Sequence, residues 1–293
     1  MGSHRNLAFL LSFLAAAGCA RGQESTEATP PEALLSDLDH PESFQFDPAT
    51  GWYFVSCIVG KPGEKDGNGE VVRFRLAEDG KPVDVRLDFV RGGKNGVTLH
   101  APKGIAFDGS HLWVTDVDHV RAFDKETGAP GPQIEIPDAK FLNDLVASPD
   151  GAFYVSDTME GKIFRVEPHD GGRVSVYSEE ERLANPNGLA LDPGGSGRLL
   201  VLTWKTGELL QVHANGTTGL LVKLSEGGLD GIVWLEGAWY VTDYKAGKVL
   251  VAGEAGPRVI FEGKAGLADL GTDGKRLLVP SMEEGKVFLL SPE

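Results

Sequence analysis

Helical periodicity is what this sequence lacks most. No long stretch of its 293 residues repeats apolar positions at helical spacing, which argues against a helical bundle and makes an all-β fold the expectation. Positive charge is also scarce. The 28 Lys and Arg residues face 43 Asp and Glu, for a net charge of −15. That balance argues against nucleic acid as a partner, because such binding depends on neutralising phosphates with basic side chains. No apolar run approaches the roughly 20 residues of a membrane-spanning helix. Cysteine is almost absent, with 2 in the chain. What the chain does have is turn-forming residues, 39 glycines and 17 prolines, and a 41% hydrophobic content sufficient for a sizeable core.

The N-terminus carries a targeting pattern. Arg5 precedes an apolar run from Leu7 to Ala17, and small residues lead to Gly18 and Cys19. The run is too short to span a membrane and reads as a signal peptide over residues 1–18. The small residues before Cys19 resemble a bacterial lipobox, with Ala16 where Leu is usual, so the Cys19 thiol is the expected lipidation site. The resulting placement is the bacterial cell envelope, periplasmic or outer-membrane, with plain secretion as the alternative. The membrane is then met only through a lipid on Cys19. Cys57, in "YFVSCIVG", is left without a disulfide partner and reads as a small strand residue. Residues 19–36 form a polar tether in this reading, although "EALLSDL" at its end is also a candidate strand.

From residue 37 to 293 the sequence repeats itself. Each unit opens with a short apolar strand, turns at a Gly-rich corner and continues into a strand such as "HLWVTD", "AFYVSD" or "AWYVTD". A third strand and a weaker fourth complete it. Units begin near Glu42, Lys103, Asn143, Asn187, Asp230 and Ala268, at a spacing that suits four-stranded propeller blades, and predict a six-bladed β-propeller. The last unit ends after three strands, so "EALLSDL" would supply the fourth and close the ring. Blade one carries an extra loop, "GKPGEKDGNGE", and "VRGGKNGVTLHAP" follows it. Both should overhang the end where the six starting residues gather, the first as a mobile lid. "DGNGE" lacks the full spacing of a calcium loop.

Inner strands line the channel of a propeller, so the six starting side chains converge at its mouth. Two carboxylates (Glu42 and Asp230) and two amides (Asn143 and Asn187) make an oxygen cage suited to calcium, magnesium or manganese. Asp116, Asp157 and Asp243 end neighbouring strands near the same mouth, and Asp144 follows Asn143 directly. They either accept turn N–H groups or orient the ligands.

These residues resemble those of the senescence marker protein/gluconolactonase/luciferin-regenerating family of six-bladed propellers, over the whole mature chain. "ESFQF" loosely matches the family's blade-one motif and gives Glu42, "FLND" gives Asn143, "PNGL" gives Asn187 and "LDGI" gives Asp230. The resemblance implies one bound divalent cation, calcium first with magnesium, manganese or zinc as alternatives, held by those four residues. It also implies a monomer that hydrolyses a small-molecule lactone or ester, as the similar paraoxonases do, with Asp230 as general base. His100, in the loop before Lys103, is a second candidate for proton transfer. Phe141 stands where the sugar-lactone enzymes carry a substrate-binding Arg, so Phe141, Asp144 and Lys103 become the candidate substrate contacts, for something more apolar.

Lys103 is the departure that matters. As an internal cation beside Glu42 and Asp230 it would replace the metal and remove catalysis, leaving a non-catalytic tethered propeller that binds a ligand or partner. Placed above a metal, it would bind a substrate anion. Out of register, it would be solvent-exposed.

Overall fold

The computed structural model describes residues 31–195, 197–253 and 255–292. The signal peptide, Cys19 and the tether up to residue 30 lie outside the described residues. From residue 31 onward the chain is built of short strands and their turns. Four separate four-stranded antiparallel sheets are joined by an eight-stranded one, in a propeller of four-stranded antiparallel blades. The eight-stranded sheet has four antiparallel strands on each side of a parallel seam, where Ser43 pairs with Asp269 and Phe44 with Leu270. Its far edge is the strand Ala33–Leu35, paired with Lys286–Leu290. Residues 33–35 therefore belong to the fold, which corrects a tether running to residue 36.

The inner strands are Pro41–Asp47, Pro102–Phe107, Leu142–Ala147, Pro186–Leu191, Leu229–Leu235 and Asp269–Thr272. They contact one another in a closed cycle. Apolar residues fill the spaces between neighbouring sheets. Trp52 and Phe54 of one sheet pack with Ile105, Leu112, Val114 and Phe123 of the next, and Trp113 packs with Leu145 and Phe153 of the one after.

A shared irregularity marks the start of the inner strands. Leu142 pairs with Asp157 and Leu145 with Val155, so Asn143 and Asp144 together oppose the single residue Ser156. Equivalent register shifts place 42 and 43 against Ser56, 103 and 104 against Thr115, 187 and 188 against Leu202, and 230 and 231 against Thr242. Such bulges bend the strand and re-aim its side chains. Hydroxyls hold several of them. Ser56 Oγ accepts the Ser43 N–H at 3.0 Å and donates to the Lys103 carbonyl of the next sheet at 2.6 Å. Thr242 Oγ1 accepts the Gly231 N–H at 2.8 Å and donates to the Ala268 carbonyl at 2.8 Å. Thr115 likewise donates to the Asn143 carbonyl.

Removing such a hydroxyl strands a buried N–H and a buried carbonyl at once. Thr242→Val, which keeps the shape, should lower stability by about 2 kcal/mol, read as a shift in the urea midpoint with unchanged slope.

Candidate functional site

The bulges bring the starting residues together. Glu42, Lys103, Asn143, Asn187 and Asp230, each the second residue of its inner strand, all line one cavity of about 510 Å³ at the mouth of the channel. Ala268, buried, precedes the sixth inner strand. Phe141 forms part of the cavity wall.

At the cavity floor two buried carboxylate oxygens, Glu42 Oε2 and Asp230 Oδ1, have no hydrogen-bond partner among the described residues. Burial, then repulsion from Asp230, Asp269 and Asp144, pushes the Glu42 carboxyl well above its ordinary range, and Lys103 partly opposes this. Asp230 is raised by burial and by Asp269, against the Asn187 amide beside it. Two acids that burial and repulsion from neighbouring carboxylates hold toward protonation are short of positive charge. Asn143 commits its amide nitrogen to Thr158 Oγ1 at 3.1 Å, leaving its oxygen for a ligand. Two unpartnered carboxylate oxygens and two amides form a hard oxygen donor set, which fits a divalent cation of the calcium or magnesium type.

Lys103 is 1% exposed, so the out-of-register reading is excluded. Its ammonium donates to the Ala101 carbonyl at 3.1 Å and lies 4.3 Å from the centroid of the Phe141 ring. Burial lowers its pKa to about 8, against the pull of Glu42, Asp116 and Asp157. The ammonium is thus held on the wall by a carbonyl and an aromatic face, with Glu42 acting on it through space.

Other expected residues lie elsewhere. Asp144 does not line this cavity. Its carboxylate accepts the Leu145 and Leu189 N–H groups, each at 2.7 Å, and faces a second cavity of about 400 Å³ toward the far ends of the inner strands. A substrate contact at the mouth is therefore corrected for Asp144: two backbone donors hold it one tier deeper. His100 is not part of the cavity wall either. Its backbone N–H bonds to Asp116, and its ring Nδ1 is buried without a partner among the described residues, away from the cavity lining. Asp116 accepts the Ala101 N–H at 2.8 Å and pairs with Arg121, and Asp157 accepts the N–H groups of Lys140, Phe141, Met159 and Glu160. Asp243 takes the Ala246 N–H at 2.9 Å. These are turn-holding acids. The overhanging loop brings Pro62 to the cavity, but Lys65 pairs with Asp118 and the Gly69 N–H bonds to the Leu99 carbonyl at 3.1 Å, so it is tied down at several points. At Gly92 an added Cβ would lie 2.2 Å from the Leu99 oxygen, so only glycine fits that crossing.

Two sets of residues escape notice in the sequence. Asp269 joins Asp144 in the deeper tier, accepting hydrogen bonds from Ser43 at 2.5 Å and Gln45 at 3.2 Å. Ile58, Thr158, Trp204, Tyr244 and Met282 form an upper ring on the cavity wall. Each directly follows the strand paired with an inner strand, and each backbone N–H bonds to the carbonyl two residues before a channel-mouth position: His40, Phe141, Asn185, Gly228 and Gly266. The repeat alignment contains that signal, one residue beyond "VSC", "VSD", "VLT", "VTD" and "VPS".

Burial pushes the Asp269 carboxyl up to about 6, against hydrogen bonds from Ser43 and Gln45. The folded protein then keeps this proton to a higher pH than the unfolded chain, where an aspartate titrates near ~4. Stability from this group is full below about pH 4 and falls as pH rises toward about 6. Asp269→Asn should remove up to about 3 kcal/mol of that fall, measured by urea unfolding between about pH 4 and 7.

No family model matches the chain, and no curated protein sequence matches it. Solved structures do share its fold. Virginiamycin B lyase from Staphylococcus aureus superposes with a TM-score of 0.63 at 14% identity, covering 88% of this chain and 98% of that one. A protein described as a putative gluconolactonase gives a TM-score of 0.63 at 17% identity, with 89% and 93% covered. A chain of the nidogen/laminin complex gives 0.60 at 17% identity, with 85% and 82% covered. At these identities the likeness establishes the β-propeller fold, in a chain similar both to enzymes and to a component of a protein–protein complex.

Proposed function

We propose that the chain is a six-bladed propeller, its eight-stranded sheet being two blades, and that the cavity at its mouth hydrolyses a lactone or ester with the help of one divalent cation. The observation that carries this reading is the pair of buried, unpartnered oxygens, Glu42 Oε2 and Asp230 Oδ1, on the floor of a cavity that also presents Asn143 and Asn187. Among the described residues no group of three or more His, Cys, Asp or Glu converges to hold a metal. A cation here therefore depends on the asparagine oxygens, which favours calcium, then magnesium or manganese, over zinc. When bound, such a cation polarises a carbonyl and lowers the pKa of an attacking water.

The chain's own residues supply the rest. Asp230 is the general base: a carboxylate has two oxygens, so one can face the cation while the other accepts the water proton. The Asn187 amide steadies the charged form of Asp230. Asn143 is held in place through Thr158. Phe141 packs its ring against the Lys103 ammonium and keeps that charge on the wall. The N-terminal pattern supports a tether at a bacterial envelope through Cys19.

A second reading rests on Lys103, whose buried ammonium acts on Glu42 as an internal cation. In that reading the cavity binds a ligand or partner without turnover. Metal analysis of protein purified without chelator separates the two. The hydrolase reading expects one equivalent of cation, chelator-sensitive cleavage of lactones or aryl esters, and loss of both on Asp230→Ala. A metal-free protein, or a rate indifferent to chelator, overturns it. Because Lys103 competes electrostatically for Glu42, Lys103→Met should tighten cation binding on the order of tenfold by calorimetry.

A further inference from the structure

We infer that the cavity selects substrates by an apolar tail and rejects polyhydroxylated ones, so that its lactone or ester carries an alkyl or aryl group. This deepens the hydrolase reading and rests on it. The argument starts from the upper ring. Ile58, Trp204, Tyr244 and Met282 stand on it, with Phe141 and Met159 completing the wall. Trp204 and Tyr244 lie side by side with ring centroids 5.5 Å apart. These side chains present thioether, aliphatic and aromatic surface above a small polar floor.

Several polar atoms of the wall are already committed to the protein. Thr158 Oγ1 donates to the Pro186 carbonyl at 2.8 Å and accepts from Asn143. Asn185 donates through Nδ2 to the Thr158 carbonyl at 2.7 Å. Tyr244 donates its hydroxyl proton to Glu283 at 2.8 Å. Lys103 donates to Ala101 and faces the Phe141 ring. A sugar-like substrate would have to bury several hydroxyls against this surface, and each hydroxyl left without a partner is costly. An alkyl or aryl group meets no such penalty and removes apolar surface from water. The reacting carbonyl would be directed to the floor, where the unpartnered oxygens lie, and the tail to the ring above it.

The backbone makes this wall a property of the fold. Each member of the upper ring is placed by its N–H bond to the carbonyl two residues before a channel-mouth residue. Floor and wall therefore keep a fixed separation, with the chemistry at one level and the recognition at the next.

The test uses the cation-loaded protein and two series of probes: lactones with a lengthening alkyl substituent beside gluconolactone, and the corresponding alkyl lactams, which resist hydrolysis. The expected result is a kcat/KM rising about threefold per added methylene until the tail outgrows the cavity, with gluconolactone at least roughly a hundredfold below the best alkyl lactone. Lactam affinity, measured by calorimetry, should rise in parallel. Trp204→Ala and, independently, Met159→Gln should reduce the ratio of long-tail to unsubstituted lactone turnover within each variant, a readout that does not depend on the amount of folded protein. Turnover of gluconolactone equal to that of alkyl lactones, or a flat dependence on tail length in both series, overturns the inference while leaving the hydrolase reading in place. Lactams that bind with the expected dependence while no lactone is cleaved support the apolar site and overturn the hydrolase reading alone.

Discussion

Two consecutive residues squeezed opposite one, at the start of the inner strands, determine where the chemistry of this protein sits. In a regular strand Asn143 and Asp144 would point to opposite faces of the sheet. The bulge opposite Ser156 instead sets them on successive tiers, Asn143 at the mouth and Asp144 below it. The hydroxyls of Ser56 and Thr242 accept the extra N–H of one sheet and donate to a carbonyl of the next, so the same contact shapes the bulge and joins neighbours. Glycine is required where the tiers crowd. A Cβ at Gly104 would lie 2.6 Å from Asp144 Oδ1, and one at Gly188 would lie 2.1 Å from the Asp230 carbonyl oxygen.

The tiers differ in how their carboxylates are treated. Asp144 and Asp269 are clothed by N–H and O–H donors, which makes them part of the scaffold. Burial raises the carboxyls of both tiers, but only Glu42 and Asp230 each keep an oxygen with no donor among the described residues. Buried polar groups without partners are rare in folded proteins and ask for an explanation. A cation or a substrate proton supplies one. Lys103 answers part of that demand from the wall, but it bonds to the Ala101 carbonyl and faces the Phe141 ring, and reaches Glu42 only through space.

The repeat of Ser or Thr followed by Asp, with a glycine-rich corner between strands, makes the all-β architecture and the ring of starting residues legible without coordinates. Those features are local: a strand, a turn and a strand end each occupy a few neighbouring residues, and the copies can be laid over one another. Alignment misplaces Asp144 because it gives position along the chain and not the tier to which a bulge sends a side chain. It misplaces His100 for a related reason, since the backbone there follows the anchor at Asp116 while the ring stays off the cavity wall.

By itself the sequence determined the blade pattern, the residue types at the channel mouth and the oddity of a lysine among them, because a repeated motif exposes each deviation in its own copy. The tertiary structure alone decided which carboxylates remain without donors, where the Lys103 ammonium comes to rest and that an apolar ring stands above the floor. Those outcomes depend on hydrogen bonds between sheets and on burial from every side of the channel, and neither is encoded in the spacing of residues along one strand.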